Sequence, residues 1–313
     1  LDVGSTTVKM AVLDEEGNIL YKKYRRHFSD IKKTVVSMIE SAKDILHKKL
    51  VTIMITGSGG FNISKNLNVS FIQEVMSCTK AIENIIPDTD VAIELGGEDA
   101  KITYLGDSLE QRMNGTCAGG TGAFIDQMAS LLQTDANGLN ELAKKHKIIY
   151  PIASRCGVFA KTDVQPLLNE GAAKEDIAAS ILQAVVNQSI GGLAQGRSIK
   201  GNVAFLGGPL HFMSELRQRF IETLKLKEHN IIFPEDSQYF VAIGAALSSK
   251  KEEPIPFECL YDNIPRISKL NQSEGEELKP LFATEDEYRE FRERHEKYKV
   301  KRAEIDSYEG NAF

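Results

Sequence analysis

Two cysteines in this chain lie beside glycine-rich turns that lead into helical sequence. Cys117 is part of Asn114–Gly122, read Asn-Gly-Thr-Cys-Ala-Gly-Gly-Thr-Gly, and the apolar stretch Ala123–Leu132 follows directly. Cys156 is followed by residues 158–169, which begin with a helical pattern. A helix that starts after a cysteine directs free N–H groups and the positive end of its dipole toward the sulfur. Both settings therefore favour a thiolate, the form of cysteine that binds metals.

A purely structural interpretation of the same residues is also open. Cysteine behaves as a small apolar residue, so Cys117 and Cys156 would then be buried in tight turns without chemistry. Their spacing identifies no particular metal. Cys78 falls in the middle of a predicted helix, and we assign it no chemistry.

The first residues of the chain, Leu1–Asp14, predict a β-hairpin whose turn is rich in glycine and hydroxyl residues. Backbone N–H groups and hydroxyls in such a turn can surround a phosphate. Lys9 would add a positive charge, and Asp2 lies where a hydrated Mg²⁺ ion would be needed. The turn residues predicted to surround the phosphate are Gly4, Ser5, Thr6 and Thr7.

A second carboxylate, glycine turn and returning strand follow about 92 residues after the first. Glu94 belongs to the predicted strand Val91–Leu95, the turn is Gly96-Gly97-Glu98-Asp99, and the strand Ala100–Tyr104 returns. This internal repeat indicates a duplicated domain pair in which each half presents a phosphate-binding hairpin to a central cleft.

A third glycine turn, Gly207-Gly208-Pro209, follows the predicted strand Asn202–Leu206 and precedes a helix. Backbone can approach a ligand closely at such a position. The other predicted elements are a strand over Ile19–Arg25, a helix over Asp30–Lys48, a strand over Val51–Thr56, and helices over Ser70–Ile86, Glu175–Arg197, Gln238–Ser249 and Glu285–Arg302. The last of these begins with a capping box at Thr284–Glu287.

The composition is that of a globular protein with a large core, since 42% of its 313 residues are hydrophobic. A net charge of −6 without a long basic run argues against nucleic-acid or membrane partners. Four cysteines are too few for a disulfide scaffold, and no signal peptide is evident, so we expect a cytoplasmic protein. Leu1 already lies inside a predicted strand, which suggests that the natural chain starts earlier.

The two hairpins and the Gly207-Gly208-Pro209 turn resemble the nucleotide cleft shared by actin, heat-shock chaperones and sugar kinases. The cysteine motifs narrow this resemblance. Gly115–Gly122 and Arg155–Ala160, the latter read Arg-Cys-Gly-Val-Phe-Ala, closely resemble motifs of the ATP-dependent activators of 2-hydroxyacyl-CoA dehydratases and of benzoyl-CoA reductase ATPase subunits. The resemblance covers Leu1 to about Lys250.

The resemblance implies an α/β fold of the actin-like, duplicated two-subdomain ATPase type. Subdomain I would comprise residues 1–90 and 235–250, and subdomain II residues 91–234. The carboxylates implied in catalysis are Asp2, Glu94 and Asp99. The implied nucleotide ligands are Gly4, Ser5, Thr6, Thr7, Lys9, Gly96, Gly97, Glu98, Gly207, Gly208 and Pro209.

The function implied by the resemblance couples ATP to electron transfer in an anaerobic protein. Family members are homodimers with one [4Fe-4S] cluster at the interface, and each subunit contributes two cysteines, here Cys117 and Cys156. Hydrolysis of ATP, with Mg²⁺ held through water by Asp2, drives one electron into a partner dehydratase or reductase that carries iron–sulfur clusters.

This sequence departs from the family pattern in three places. Glu94 stands where an aspartate is usual and Glu98 where a glutamine is usual. The contacts of these two residues with the terminal phosphate are therefore not fixed by the resemblance. The charged segment 251–313 is absent from short activators. It resembles the connector of long relatives with two activator-like modules, so the dimer could instead form between modules of one chain.

Three alternatives remain open from the sequence. A small-molecule kinase of the same fold would need a base carboxylate in a substrate pocket, and no insertion after the first hairpin builds one. A non-catalytic, nucleotide-dependent scaffold would bind ATP without turnover. Four cysteines of a dimer would also suit a structural zinc ion.

Overall fold

The computed structural model describes residues 1–106, 108–114, 119–153, 157–268 and 280–300. The chain divides into two compact units, residues 1–269 and 270–313. Cys117 and Cys156, on which the predicted cluster depends, lie outside the described residues.

The strands are short and most of them lie in the first half of the chain. They are β1 (Asp2–Val3), β2 (Thr7–Leu13), β3 (Ile19–Arg26), β4 (Leu50–Val51), β5 (Met54–Ile55), β6 (Ser70–Phe71), β7 (Val91–Leu95), β8 (Ala100–Leu105), β9 (Leu109–Met113), β10 (Val203–Leu206), β11 (Ile231–Ile232) and β12 (Ile255–Pro256).

The α-helices fill the connections and the second half of the chain. They are α1 (Ile31–Ser41), α2 (Lys43–Leu46), α3 (Gly60–Leu67), α4 (Glu74–Ile85), α5 (Gly122–Leu131), α6 (Ala136–Ala143), α7 (Gly157–Asn169), α8 (Lys174–Ser189), α9 (Gly208–Phe212), α10 (Ser214–Leu224), α11 (Phe240–Ser249), α12 (Glu258–Ser268) and α13 (Glu285–Glu296).

The same order of strand pairing occurs twice. The first set, called here the first sheet, is the three-stranded sheet β1-β2-β3 linked by one isolated bridge to the pair β5-β6, and the second sheet has five strands. In the second sheet the order is β11-β10-β7-β8-β9, with β7 antiparallel to β8 and parallel to β10. In the first, β1-β2-β3 are antiparallel, Asp2 bridges Thr56 in parallel, and β5 pairs with β6 in parallel. The duplication predicted from the two hairpins is thus confirmed in the topology of the chain.

Helices α4 and α11 lie between the two sheets. One side of the pair packs on β7 and β10 in a cluster that includes Cys78, Ile82 and Phe240. On the other side, α11 packs on β2 through Ala11. The two helices touch so closely that a Cβ at Gly244 would overlap the carbonyl group of Ser77, and this contact leaves no room for a side chain.

Several element boundaries differ from the prediction. The predicted helix over Ser70–Ile86 starts only at Glu74, because Ser70–Phe71 pairs with Met54–Ile55 as a strand. Ala42 interrupts the helix predicted over Asp30–Lys48. The strand predicted over Val51–Thr56 is two short strands, and β9 was missed.

The helix predicted over Glu175–Arg197 is α8 followed by a π-helical turn at Ile190–Ala194. Arg112 stabilises this turn by donating hydrogen bonds to the carbonyls of Leu193 and Ala194. Within the described chain, Lys174–Ala194 is one helical stretch long and apolar enough to cross a membrane, and 67% of its apolar window is buried inside the protein. Such burial is what the core helix of a folded domain shows.

Part of the charged segment after Lys250 belongs to the first unit. Strand β12 pairs with β4, and α12 buries Leu260 and Ile267 while packing on α3. In the second unit, α13 begins at the predicted capping box, where the Thr284 hydroxyl accepts a hydrogen bond from the Glu287 N–H.

Candidate functional site

A cleft between the two sheets brings the three predicted glycine turns together. Its lining includes every predicted catalytic and nucleotide residue except Glu98, namely Asp2, Gly4, Ser5, Thr6, Thr7, Lys9, Glu94, Gly96, Gly97, Asp99, Gly207, Gly208 and Pro209. Glu98 does not line the cleft. Its backbone carbonyl accepts a hydrogen bond from Asn114 Nδ2 at 3.0 Å.

The first and second hairpins touch each other at the centre of the cleft. A Cβ on Gly97 would overlap the side chain of Thr6. Gly207 has φ +89°, a left-handed conformation that favours glycine, and its Cα faces the carbonyl of Leu95. The glycines therefore let three backbone turns approach one point.

Gly97→Ala is expected to raise the KM for ATP about 10-fold or more, because the added methyl group pushes the two hairpins apart and displaced binding groups lose affinity steeply. Steady-state ATPase kinetics would measure this change. Gly106→Ala is the matched control, since nothing lies within 4 Å of its Cβ position. Equal KM values for the two variants would contradict the assigned contact.

Asp2 and Lys9 form a buried ion pair at the first hairpin. Lys9 Nζ donates to Asp2 Oδ2 at 2.7 Å, and the two residues are directly opposed on β1 and β2. Burial favours the neutral amine, but the adjacent Asp2 carboxylate outweighs it and raises the pKa of Lys9. Asp2 Oδ1 is buried without a hydrogen-bond partner among the described residues. An oxygen of this kind suits a hydrated cation.

A second charged group lies at the floor of the cleft. Lys101 Nζ donates to Glu94 Oε1 at 3.3 Å and forms a closer ion pair with Glu74. Burial opposes the charge on Lys101, yet the two carboxylates raise its pKa above the ordinary value. Burial raises the pKa of Glu74 to about 6, a shift that Lys101 opposes and that Glu94 and Asp2 reinforce.

Sequence reasoning missed several residues of the cleft. Tyr24, Ser58, Glu74, Ser237 and Gln238 line it as well. The Tyr24 hydroxyl lies against Gly208, so it stands between the first sheet and the third glycine turn. Gln238 Oε1 is buried and lacks a hydrogen-bond partner in the described chain, which leaves it available to a ligand.

The cleft can be compared with known proteins. A model of the BadF/BadG/BcrA/BcrD ATPase family matches residues 1–249. The chain belongs to this ATPase family. Its fold is that of the actin-like and sugar-kinase-like ATPases, in agreement with the prediction.

Relatives and solved structures of this ATPase family carry more specific names. The 2-hydroxyisocaproyl-CoA dehydratase activator of Clostridioides difficile is 30% identical over 254 residues, 79% of this chain and 92% of the relative. The (R)-2-hydroxyglutaryl-CoA dehydratase activating ATPase of Acidaminococcus fermentans is 29% identical over 80% of this chain and 96% of the relative.

Two solved structures, one of a dehydratase component and one of a dehydratase activator, resemble this fold. The crystal structure of (R)-2-hydroxyglutaryl-CoA dehydratase component A from Acidaminococcus fermentans has a TM-score of 0.69 at 30% identity. The match covers 80% of this chain and 96% of the solved chain. The Clostridium difficile activator with bound ADPNP has a TM-score of 0.69 at 26% identity, covering 87% and 98%.

In this ATPase, helix α5 is hydrogen-bonded directly to the second hairpin. The N–H groups of Gly122 and Ala123 donate to the carbonyls of Gly96 and Gly97 at 3.0 and 2.7 Å. The sequence placed the helix entrance directly after Cys117, with free N–H groups toward the sulfur. The helix predicted over Ala123–Leu132 is confirmed as α5, but its first two N–H groups are not free for a sulfur, because the second hairpin uses them.

The helix predicted after Cys156 does begin at the next residue, Gly157. Gly157 packs against Phe124 and Gln127 of α5, so the helix that follows Cys117 touches the start of α7, the helix that follows Cys156. No group of three or more potential metal ligands occurs among the described residues. The predicted metal role of Cys117 and Cys156 remains a prediction.

Proposed function

We propose that this ATPase hydrolyses ATP to deliver a low-potential electron to a partner 2-hydroxyacyl-CoA dehydratase or a related reductase. The observation that carries the proposal is the joining of the nucleotide cleft to α5 by the Gly122 and Ala123 hydrogen bonds. The names of the family relatives as dehydratase activators support the choice of partner.

The residues of the cleft would divide the work of hydrolysis. The backbone N–H groups and hydroxyls of the first hairpin bind the phosphates, and Lys9 offsets part of their charge. Asp2 would hold a hydrated Mg²⁺, an assignment that its unpartnered Oδ1 supports. Glu94 and Asp99 would orient the attacking water from the opposite hairpin.

Cys117 and Cys156 would bind a [4Fe-4S] cluster shared with a second subunit or a second module of a longer chain. Cysteine thiolates are the usual ligands of such clusters, and the positive end of the α7 dipole, which begins directly after Cys156, favours an anionic ligand at that point. The cluster would supply the one-electron redox step. We further propose a cytoplasmic protein with neither nucleic-acid nor membrane partners.

Coupling between cleft and cysteines would travel through α5. Contacts to the terminal phosphate favour a closed cleft, and closure displaces the second hairpin. The Gly96 and Gly97 carbonyls then move α5, which lies against the start of α7. A nucleotide-dependent movement of both cysteine segments is the expected result.

We expect iron chelation to be faster in MgATP than without nucleotide, because closure exposes the cysteine segments. Coupling free energies between two sites are typically about 1–3 kcal/mol, so the chelation rate is expected to differ by roughly 5- to 150-fold. Anaerobic protein would be treated with an iron chelator in MgATP, MgADP or buffer, and absorbance followed. MgADP should match buffer or fall between the two. Identical rates in nucleotide-saturated protein would leave a nucleotide-dependent scaffold as the better description.

A further inference from the structure

The ion group at the floor of the cleft joins elements from both halves of the duplicated fold. Glu94 and Lys101 are directly opposed residues of β7 and β8 in the second sheet. Glu74 comes from α4, which precedes that sheet in the chain and packs on α11. Lys101 is therefore held by one carboxylate from its own sheet and one from a helix outside it.

The three side chains are buried to different degrees. Lys101 is 4% exposed, Glu94 10% and Glu74 25%. A buried ammonium group is costly unless it is paired, so Lys101 keeps at least one of the carboxylates close. The ion pair with Glu74 is shorter than the 3.3 Å contact with Glu94. Lys101 is thus drawn away from Glu94 by Glu74.

Helix α4 also reaches Glu94 through a second side chain. Cys78, one helical turn after Glu74, is buried beside Glu94. Burial, together with the negative charge of Glu94, raises the pKa of this thiol well above its ordinary value. Two residues of one face of α4 therefore border the Glu94 carboxylate.

We propose that Glu74 is a positioning residue for ATP hydrolysis, which acts by holding Lys101 partly away from Glu94. The proposal rests on the ATPase function proposed above. With Glu74 charged, Lys101 is shared and Glu94 keeps negative charge directed into the cleft. When Glu74 is neutral, Lys101 turns wholly to Glu94 and neutralises it. Glu94 then orients or polarises water less effectively.

The expected kinetic result is a loss of kcat with little change in KM, since the phosphates bind to the hairpins rather than to Glu74. Glu74→Gln should lower kcat about 10- to 100-fold, the usual cost of removing an outer-shell partner. Glu74→Asp keeps the negative charge on a shorter side chain, so its kcat should lie between those of the wild type and Glu74→Gln. Glu83→Gln, an exposed residue of the same helix, is the matched control and should behave as wild type.

A double-mutant cycle distinguishes positioning from direct action. In a Lys101→Met protein there is no ammonium group to share, so adding Glu74→Gln should change kcat less than 2-fold. Thermal unfolding and binding of a fluorescent ATP analogue would establish that each variant is folded. If Lys101→Met does not fold, the ordering of wild type, Glu74→Asp and Glu74→Gln in kcat at constant KM decides the proposal.

Three outcomes would overturn the proposal. The first is a wild-type kcat in Glu74→Gln. The second is a raised KM at unchanged kcat, which would mean that Glu74 contacts the nucleotide. The third is an undiminished effect of Glu74→Gln in the Lys101→Met protein. Absence of ATP turnover in the wild-type protein would instead remove the ATPase function itself, before any variant is compared.

Discussion

Asp2→Asn is expected to lower kcat for MgATP hydrolysis by about 100-fold or more, the usual scale for removing a charged group that acts on the transferred phosphoryl group. Asparagine preserves the size of the side chain and its contact with Lys9, but it removes the negative charge. Asp2 is 1% exposed, and its Oδ1 lacks a partner in the described chain. The change removes a negative charge from the cation and also from Lys9, so thermal unfolding of the variant would separate lost turnover from lost stability.

The measurement is ATP turnover as a function of Mg²⁺ concentration. Asp2→Asn should need more Mg²⁺ for half-maximal turnover, because one carboxylate that orients the hydrated ion is gone. Asp44→Asn, at an exposed position of α2, serves as the control and should retain wild-type rates. Unchanged turnover and unchanged Mg²⁺ dependence in Asp2→Asn would show that the metal lies on the other side of the cleft.

Loss of iron is the expected result of replacing either predicted cluster cysteine. Anaerobically prepared wild-type protein should be brown and contain about four irons per dimer, as one Cys₄-ligated [4Fe-4S] cluster requires. Cys117→Ala or Cys156→Ala removes two of the four thiolates from the dimer at once, since each subunit carries the change. Iron and sulfide analysis with visible absorption spectra would measure the loss.

The remaining cysteines provide controls for the same experiment. Cys78 is buried in α4 and Cys259 is half-buried in α12. Their alanine variants should keep full iron content. A full cluster in both Cys117→Ala and Cys156→Ala would refute the assignment. Colourless wild-type protein that binds zinc stoichiometrically would identify a structural zinc site instead.

The sequence predicted the parts of the cleft that are local in the chain. Each hairpin is built from a strand, a glycine turn and a returning strand, so its shape follows from neighbouring residues. The echo between Asp2 and Glu94 also predicted the duplication that the two sheets confirm. Family resemblance then supplied the fold class.

The parts that were missed depend on residues far apart in the chain. Glu74 reaches the cleft only because α4 packs between the sheets, and nothing around it in the sequence marks a functional carboxylate. Tyr24 looks like any aromatic residue of an exposed strand until Gly208 is placed against it. The sequence predicts helix at Ser70–Phe71, whereas the structure has a strand there, because its pairing partner Met54–Ile55 lies in another segment of the chain.

The closely packed helices α4 and α11 form the connection between the two sheets that flank the cleft. The polypeptide passes toward the second sheet through α4 and comes back through α11, and Gly244 seats one helix on the backbone of the other. If a bound nucleotide closes the cleft as proposed, the two sheets would swing about this pair of helices, because the close Gly244 contact resists sliding. The second hairpin, and with it the start of α5, would then move mainly along one direction.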